Sequence, residues 1–443
     1  MSARSNLYKL PALSTSLYSV KPKILTTLPT TTRESLVADI AAGATVSLVA
    51  LPLSIAIAIA SGAPPATGLV TAIVAGFLIS ALGGSRVQIG GPTGAFIVVV
   101  AGVIAAHGYD GLVLATFIAG LILLAAGYFR LGNLIAFVPE PVVDGFTVGI
   151  AVIIAASQLN DALGLSLEQV PADFIEKIPA LWNALGAFSP PALFVSAATI
   201  VLIVALRRYA PRMPGLIIAV TITSAAALIA APHLSEPIDT IASRFGDLPR
   251  GLPRPRLPDF SIEKVTQLLP SAFVIAFLAG IESLLSALVA DRMIGGRHRP
   301  NAEMLAQGTA NIASALFGGL PATGAIARTA TNVRAGGRTP LAGMFHAIAL
   351  LIIALVAAPL VGRLAMPALA ALLIMTAWNM SEPGRWRDRL TMRRTDQALF
   401  ALTLTLTVFA DLAIAIAVGT SIGLAIRLRR REIPPTDWTV PKR

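Results

Sequence analysis

An arginine within an apolar stretch is the first residue whose position points to chemistry. Arg328 lies in the run Ala325-Ile326-Ala327-Arg328-Thr329, which follows a segment containing proline and glycine. A charged side chain inside a bilayer costs free energy and by default marks a substrate or ion pathway. Because arginine keeps its proton under ordinary conditions, Arg328 predicts a permanently positive site for an anion.

A carboxylate in another apolar stretch is the second candidate. Glu282 lies in the middle of the apolar run 268–290, with no Lys or Arg within one helical turn. A buried carboxylate can take up a proton, and with the nearby hydroxyls of Ser283 and Ser286 it can also coordinate Na⁺. Glu282, Ser283 and Ser286 therefore predict the site of a coupling ion.

Two other interpretations of these charges stay open. Arg328 could extend to the inner membrane surface, since Arg334 and Arg338 follow it. It could also neutralise Glu282 in a structural ion pair, which would not exclude transport. His346, in a later apolar run, is interpreted as a packed polar group rather than a proton relay.

Two matched segments carry helix-breaking residues. The run Ser80–Gly84 is followed by Pro92–Phe96, and the run Ser314–Gly319 is followed by Pro321–Ile326. Proline and glycine interrupt a helix, and non-helical backbone at membrane depth is tolerated only inside protein or beside a cavity. Each copy therefore predicts an extended segment that is followed by a half-helix.

The start of each half-helix predicts an anion site. Thr93 and Thr323 stand where N-caps belong. Each half-helix then directs its positive N-terminal end to the middle of the membrane, and two such ends form an anion site. The pattern predicts that the substrate is bound by Thr93, Gly94, Ala95, Thr323, Gly324, Ala325 and Arg328.

Composition places these sites in a membrane protein. Of the 443 residues, 55% are hydrophobic and only 13% are charged, whereas a soluble chain carries roughly 25% charged residues. The chain has no cysteine, its four histidines are scattered, and it has no nucleophile–base pair, so we expect no enzyme, no metal and no cofactor. The net charge of +11 is attributed to basic loops rather than to nucleic-acid binding.

Apolar runs of about 20 residues predict an all-α membrane protein with fourteen spans, two of them half-helices. With both termini inside, most of the 34 Lys and Arg residues fall on the inner side, which predicts an inner-membrane protein with cytoplasmic termini. The predicted parts are a tail 1–37, a transporter domain 38–427 and a tail 428–443. The predicted spans are 38–60, 65–83, 93–107, 111–129, 137–159, 190–206, 213–231, 268–290, 302–318, 323–334, 341–362, 366–380, 396–410 and 412–427.

An inverted repeat relates the two halves. An odd number of spans separates the two matched segments, so the halves have opposite topology. Ser54 precedes Thr93 by nearly the same distance as Glu282 precedes Thr323, which makes Ser54 the approximate repeat mate of Glu282. The halves are therefore chemically unequal, as suits one substrate site with one coupling group.

Several motifs resemble the sulfate permease (SulP) family of anion transporters. They occur in the family's order, and the likeness extends over roughly residues 35–430. The motifs are Ala50–Leu53, Ala60–Leu69, Gly90–Phe96, Glu282–Asp291 and Arg328–Ala330.

The resemblance implies a 7+7 inverted-repeat fold. It implies a core domain of helices 1–4 and 8–11 that moves against a gate domain of helices 5–7 and 12–14 by an elevator mechanism, usually in a homodimer. The anion would lie between the N-termini of helices 3 and 10. The family normally adds a STAS domain after the last helix, and the tail 428–443 leaves no room for one, so this member lacks it or the chain was trimmed.

The resemblance also implies roles for single residues. Ala327 and Arg328 match the positions of a Ser-Arg pair in animal relatives, and Phe96 matches an aromatic wall of the pocket. Glu282 matches an acidic position that is Asp in a sodium-dependent bicarbonate carrier, and Ser286 matches a Thr that helps to bind Na⁺ there. The first helix would contribute Leu53, where several relatives place Gln, and Ile57. Ile326 stands where the sodium-dependent carrier has Thr, which favours a proton.

We therefore expect a secondary active transporter of a small inorganic oxyanion, with sulfate as the first substrate and H⁺ symport through Glu282. The alternatives are Na⁺-coupled bicarbonate uptake, C4-dicarboxylate uptake and an uncoupled anion channel. Nucleobase uptake, as in related 7+7 carriers, is disfavoured by Arg328. The expected partners are the anion, the coupling H⁺ or Na⁺, the lipid bilayer and a second copy of the chain, and no nucleic acid.

Overall fold

The computed structural model describes residues 20–132, 139–165, 167, 170–171, 173–211, 213–234, 237–410 and 412–430. These residues form helices joined by loops, and one two-stranded sheet. The helices are α1 (Ile24–Thr27), α2 (Arg33–Ala60), α3 (Pro65–Leu82), α4 (Phe96–Tyr128), α5 (Glu140–Leu163), α6 (Phe174–Ala184), α7 (Pro190–Tyr209), α8 (Gly215–Ala230), α9 (Ile241–Phe245), α10 (Ile262–Ile294), α11 (Pro300–Leu316), α12 (Ile326–Arg334), α13 (Leu341–Val356), α14 (Ala358–Gly362), α15 (Met366–Met380), α16 (Trp386–Thr391), α17 (Arg394–Phe409) and α18 (Leu412–Arg430). Short 3₁₀ turns cover Leu28–Thr30, Leu185–Ala187, Ala231–His233 and Pro383–Arg385, and the strands are β1 (Gly90–Gly91) and β2 (Thr323–Gly324).

Seven helices of the described residues are long and apolar enough to cross a bilayer. They are α2, α3, α4, α5, α7, α8 with its 3₁₀ extension, and α10. The chain is therefore a helical, multi-pass membrane protein, as its composition predicts. The count of fourteen spans stays a prediction, because only these seven of the described helices meet both the length and the hydropathy of a span.

Several helix boundaries differ from the predicted ones for local reasons. α2 begins at Arg33 rather than at 38, because Thr32 and Ser35 form a reciprocal capping box. The predicted span 341–362 is divided into α13 and α14, and a proline lies in the first turn of α14. Residues 1–19 and 431–443 of the predicted tails, and residues 137–138 of the fifth predicted span, lie outside the described residues.

A glycine interrupts α4 between the predicted spans 93–107 and 111–129. Gly108 has φ 69° and ψ −179°, so the helical hydrogen-bond ladder cannot run through it. A side chain rarely adopts this backbone region, and glycine adopts it at little cost. The first part of α4 is therefore a separate short helix, which begins at Phe96.

The two strands cross at the places where the helices are interrupted. β1 and β2 pair antiparallel, with Gly90 opposite Gly324 and Gly91 opposite Thr323. The paired strands, with the residues that join them to α4 and α12, form the crossing. A Cβ atom on Gly324 would lie 1.6 Å from Nε2 of Gln88, so a larger residue there would displace the Gln88 side chain from Ser283. Ladder bonds satisfy backbone groups that lipid could not hydrogen-bond, so the pairing permits extended chain inside the protein. Each strand precedes a helix, α4 for β1 and α12 for β2.

The helices pack in two groups. α4 packs against α10 and α11, and α13 packs against α2 and α3. In the other group α5 packs against α15 and α17, and α7 packs against α8 and α15. The crossing strands contact α3 and α10, so they belong to the first group. The division into a moving core and a gate stays a prediction.

Candidate functional site

The side chain of Arg328 lies inside the protein, in the first turn of α12. Arg328 is 1% exposed, and its Nη2 donates hydrogen bonds to Ser54 Oγ at 3.0 Å and to the Pro92 carbonyl at 3.1 Å. Nη1 lies against β1, where a Cβ atom on Gly91 would be 2.4 Å away. The alternative in which Arg328 extends to the inner surface is therefore wrong. Its partners belong to the other half of the chain, so the guanidinium joins the two matched segments.

The charge of Arg328 has no protein counter-charge among the described residues. No described carboxylate lies within ion-pair distance of the guanidinium, and Nε and Nη1 have no hydrogen-bond partner among the described residues. The structural ion pair with Glu282 is therefore absent. An uncompensated buried charge costs several kcal/mol unless a ligand of opposite charge is bound.

Glu282 lies on α10 beside the start of α4. Its side chain is half-buried, and its Oε2 accepts a hydrogen bond from Thr93 Oγ1 at 2.8 Å. This contact is its only hydrogen bond among the described residues. The half-buried Thr93 and Glu282 form the accessible part of the crossing, and Ala327 on α12 is also exposed.

The prediction that Thr93 and Thr323 are N-caps is wrong. The N-cap positions are Ala95 for α4 and Ala325 for α12, and neither has a side-chain cap. Thr323 Oγ1 instead donates to the Ala279 carbonyl on α10 at 2.8 Å. Both threonines lie in the extended segment before the helix, where the side chain points across to α10 instead of curling back over the first turn.

The predicted partners of Glu282 bind elsewhere. Ser286 Oγ lies 3.1 Å from Thr329 Oγ1 on α12. Ser283 Oγ donates to Glu303 Oε1 at 2.9 Å. Both serines are fully buried, and neither hydrogen-bonds the carboxylate of Glu282. Their role as ligands of a coupling ion stays a prediction.

The remaining predicted substrate residues are buried or partly buried. Ala95, Phe96, Ala325 and Ile57 are buried, and Leu53 is partly buried against the apolar core. Gly94 faces the other helix group, since a Cβ atom there would lie 3.2 Å from Met380 Sδ and 3.5 Å from Ile154 Cδ1. The predicted residues thus lie at the start of α4, at the start of α12 and in the C-terminal third of α2.

A buried carboxylate, Glu303 on α11, was absent from the sequence-based candidates. Glu303, Gln307 and Asn311 are all fully buried. They follow one another at intervals of four, so they share one face of the helix. That spacing of polar residues within an apolar span is the signal that could have found them.

Comparison with known proteins identifies relatives of the whole region. A family model described as "Sulfate permease family" matches residues 36–403. The putative sulfate transporter YvdB of Bacillus subtilis is 41% identical over 365 residues, which cover 82% of this chain and 68% of YvdB. The bicarbonate transporter BicA of Synechocystis is 31% identical over 347 residues, which cover 75% of this chain and 59% of BicA. The chain thus spans about three fifths to two thirds of the length of these relatives.

Solved structures with the same fold are also transporters. The transmembrane domain of a cyanobacterial bicarbonate transporter BicA superposes with a TM-score of 0.77 at 29% identity, covering 87% of this chain and 98% of that one. SLC26A9 superposes with a TM-score of 0.83, over 94% of this chain and 68% of that one, and at 17% identity it supports the fold alone. These matches confirm the predicted family and the helical membrane fold. They are to transporters rather than to enzymes, in agreement with the prediction.

Proposed function

This chain belongs to the sulfate permease family, and we propose that it is a secondary active transporter of a small inorganic oxyanion, with sulfate as first substrate and H⁺ as coupling ion. The observation that carries the proposal is the buried guanidinium of Arg328, which has two nitrogens without a partner and no counter-charge among the described residues. An oxyanion supplies both a negative charge and hydrogen-bond acceptors.

The helix starts near Arg328 support the same site. α12 begins at Ile326 and α4 at Phe96, each directly after the crossing strands. Unpaired N–H groups in the first turn of a helix carry a partial positive charge that attracts anions. With Arg328 they form one positive region, which favours a compact, strongly charged solute over a neutral one such as a nucleobase.

The contacts of Glu282 favour a proton over Na⁺. A sodium site needs several oxygen ligands around one point, as hard cations do. Ser283 and Ser286 donate or accept hydrogen bonds elsewhere, and the Thr93 hydroxyl is the one described partner of the carboxylate. A proton needs only the carboxylate itself. This chemistry supports H⁺ symport through Glu282.

The two helix groups support an elevator mechanism. The crossing, Arg328 and Glu282 belong to α2–α4 and α10–α13, whereas α5, α7, α8, α15 and α17 form the facing group. A rigid first group could carry the bound anion past the second. We place the protein in the inner membrane with both termini in the cytoplasm, in a homodimer, with fourteen spans as a 7+7 repeat.

A second candidate substrate is bicarbonate. The similarity to BicA, which is named a bicarbonate transporter, favours it. Sulfate and bicarbonate are both oxyanions, so the charge of Arg328 alone does not separate them. An uncoupled channel would conduct either anion without a response to a pH gradient.

Uptake into proteoliposomes tests the proposal. Purified protein should take up labelled sulfate, and an inward H⁺ gradient should accelerate the uptake. Labelled bicarbonate and labelled fumarate are tested in the same vesicles, and sulfate should be taken up fastest. Uptake of none of these anions would overturn the proposal, and uptake that ignores the pH gradient would overturn the H⁺ coupling.

A further inference from the structure

Glu303 is a second carboxylate beside the crossing, and the transport site described above does not use it. It lies in the first turn of α11 and is fully buried. Its Oε2 accepts a hydrogen bond from the Gly84 N–H at 2.9 Å. Its Oε1 accepts from Ser283 Oγ at 2.9 Å and from Gln307 Nε2 at 3.1 Å. No cationic side chain of the described residues lies within ion-pair distance of it.

The hydrogen bonds of Glu303 fit a negatively charged carboxylate. Its partners Gly84 N–H and Gln307 Nε2 can only donate. The Ser283 hydroxyl already accepts from Gln88 Nε2 at 3.0 Å and from Gln307 Nε2 at 2.8 Å, so its own proton is directed to Glu303. With the Gln307 amide in this orientation, a protonated Glu303 would have no acceptor for its proton. The N-terminal turn of α11 also favours negative charge there.

Ser283 connects this fixed charge to Glu282. The two residues are neighbours on α10, about 100° apart around the helix, so the hydroxyl that binds Glu303 and the carboxylate that binds Thr93 lie on adjacent faces. The two carboxylates are then on the order of 10 Å apart, one helix diameter or less. Other charged or titratable residues on the surrounding elements are Arg328 on α12, His346 on α13, Asp291 on α10, and His298 and Arg299 before α11.

We propose that Glu303 is a positioning residue for the coupling site: it holds Ser283 in place, and its uncompensated negative charge strengthens the binding of a proton by Glu282. The proposal rests on the proposed function in taking Glu282 as the coupling group. A negative charge nearby makes a second ionised carboxylate less favourable, because like charges repel most where water is excluded. Glu303 would thus let Glu282 take up a proton at a near-neutral pH on the outer side of the membrane.

Infrared titration of the purified protein in lipid tests this directly. The carbonyl band of the protonated Glu282 carboxyl is identified by its loss in Glu282→Gln. In Glu303→Gln the midpoint of that band should move to lower pH by about one unit, for charges on the order of 10 Å apart at an effective dielectric constant of about 20. The pH profile of sulfate uptake should move in the same direction. Glu263→Gln, which removes an exposed carboxylate at the start of α10, should leave the band midpoint unchanged.

Glu303→Asp covers the case in which Glu303→Gln does not fold. The shorter side chain withdraws the charge from Ser283 towards α11, so a smaller shift in the same direction is expected. If the folded variants melt at a lower temperature but keep the band midpoint, Glu303 only binds the Gly84 backbone to α11. That result would overturn the inference. If Glu282→Gln loses no carbonyl band, Glu282 does not bind the proton. That result would overturn both the inference about Glu303 and the H⁺ coupling. A shifted midpoint in a protein that takes up no sulfate would support the inference and refute the proposed substrate.

Discussion

Replacing Arg328 by glutamine separates the role of its charge from its role in folding. Nη2 donates to Ser54 Oγ and to the Pro92 carbonyl, whereas Nε and Nη1 have no partner among the described residues. Glutamine keeps an amide donor on a shorter side chain and removes the charge. Since removal of an unpaired buried charge relieves its desolvation cost, Arg328→Gln without ligand should melt no lower than the wild type.

The loss of affinity follows from Coulomb's law. A unit negative charge about 4 Å from the guanidinium gains about 4 kcal/mol at an effective dielectric constant of about 20, which corresponds to about a thousandfold in Kd. Water that enters the site would weaken this, so we expect sulfate binding to fall by at least about a hundredfold. Because Arg328 is 1% exposed, added neutral salt should change the result little.

Calorimetry and thermal melting measure the effect together. A ligand at about 100 times its Kd stabilises the folded state by about 2.7 kcal/mol, so sulfate should raise the melting temperature of the wild type and leave that of Arg328→Gln unchanged. Arg334→Gln, at an exposed position of the same helix, is the matched control and should bind as the wild type does. A sulfate Kd in Arg328→Gln within a few-fold of the wild type would refute the assignment of the anion site.

Three further predictions concern coupling, packing and pH. Glu282→Gln should keep sulfate exchange in proteoliposomes but lose the acceleration by a pH gradient, because the amide cannot carry the proton; retained acceleration would contradict it. Gly324→Ala should lower the melting temperature, because the new Cβ would lie 1.6 Å from Gln88 Nε2. We expect the free energy of unfolding to fall by about 1–3 kcal/mol. Gly102→Ala is the control, since no atom lies within 4 Å of a Cβ there. Burial lowers the pKa of Lys177 in the loop helix α6 below its ordinary value of 10.5. Between these two pKa values the unfolded chain binds more protons than the folded one, so the melting temperature should rise from neutral pH toward pH 10.5. Lys177→Met should abolish that rise.

The sequence predicts features that depend on local chemistry. Proline and glycine in Pro92–Phe96 and Pro321–Ile326 forbid a continuous helix, and the structure has extended chain followed by helix starts at Phe96 and Ile326. An arginine among apolar residues must be buried or reach water, and the sequence limits Arg328 to these two outcomes. Burial of its side chain decides between them.

The pairing of the two strands and the tertiary partner of Thr93 were not predicted, because both depend on contacts between distant residues. The antiparallel pairing of Gly90–Gly91 with Thr323–Gly324 joins segments from opposite halves of the chain, and no local pattern specifies that register. Thr93 looks like an N-cap because its neighbours allow one, but Glu282, far along the chain, offers a charged acceptor for the same hydroxyl. A charge-assisted hydrogen bond is roughly twice as strong as one between neutral groups, so the tertiary partner replaces the local one.

The two charged groups contact consecutive residues of one segment. Arg328 binds the carbonyl of Pro92, and Glu282 binds the hydroxyl of Thr93. They lie too far apart to form an ion pair, yet each lies in the electrostatic field of the other. A proton on Glu282 removes a negative charge and so increases the attraction of Arg328 for an anion, and a bound anion favours the protonated carboxyl in turn. Because the coupling free energy between two sites is reciprocal, sulfate should bind more tightly as the pH falls, and its binding should take up protons from a weakly buffered solution.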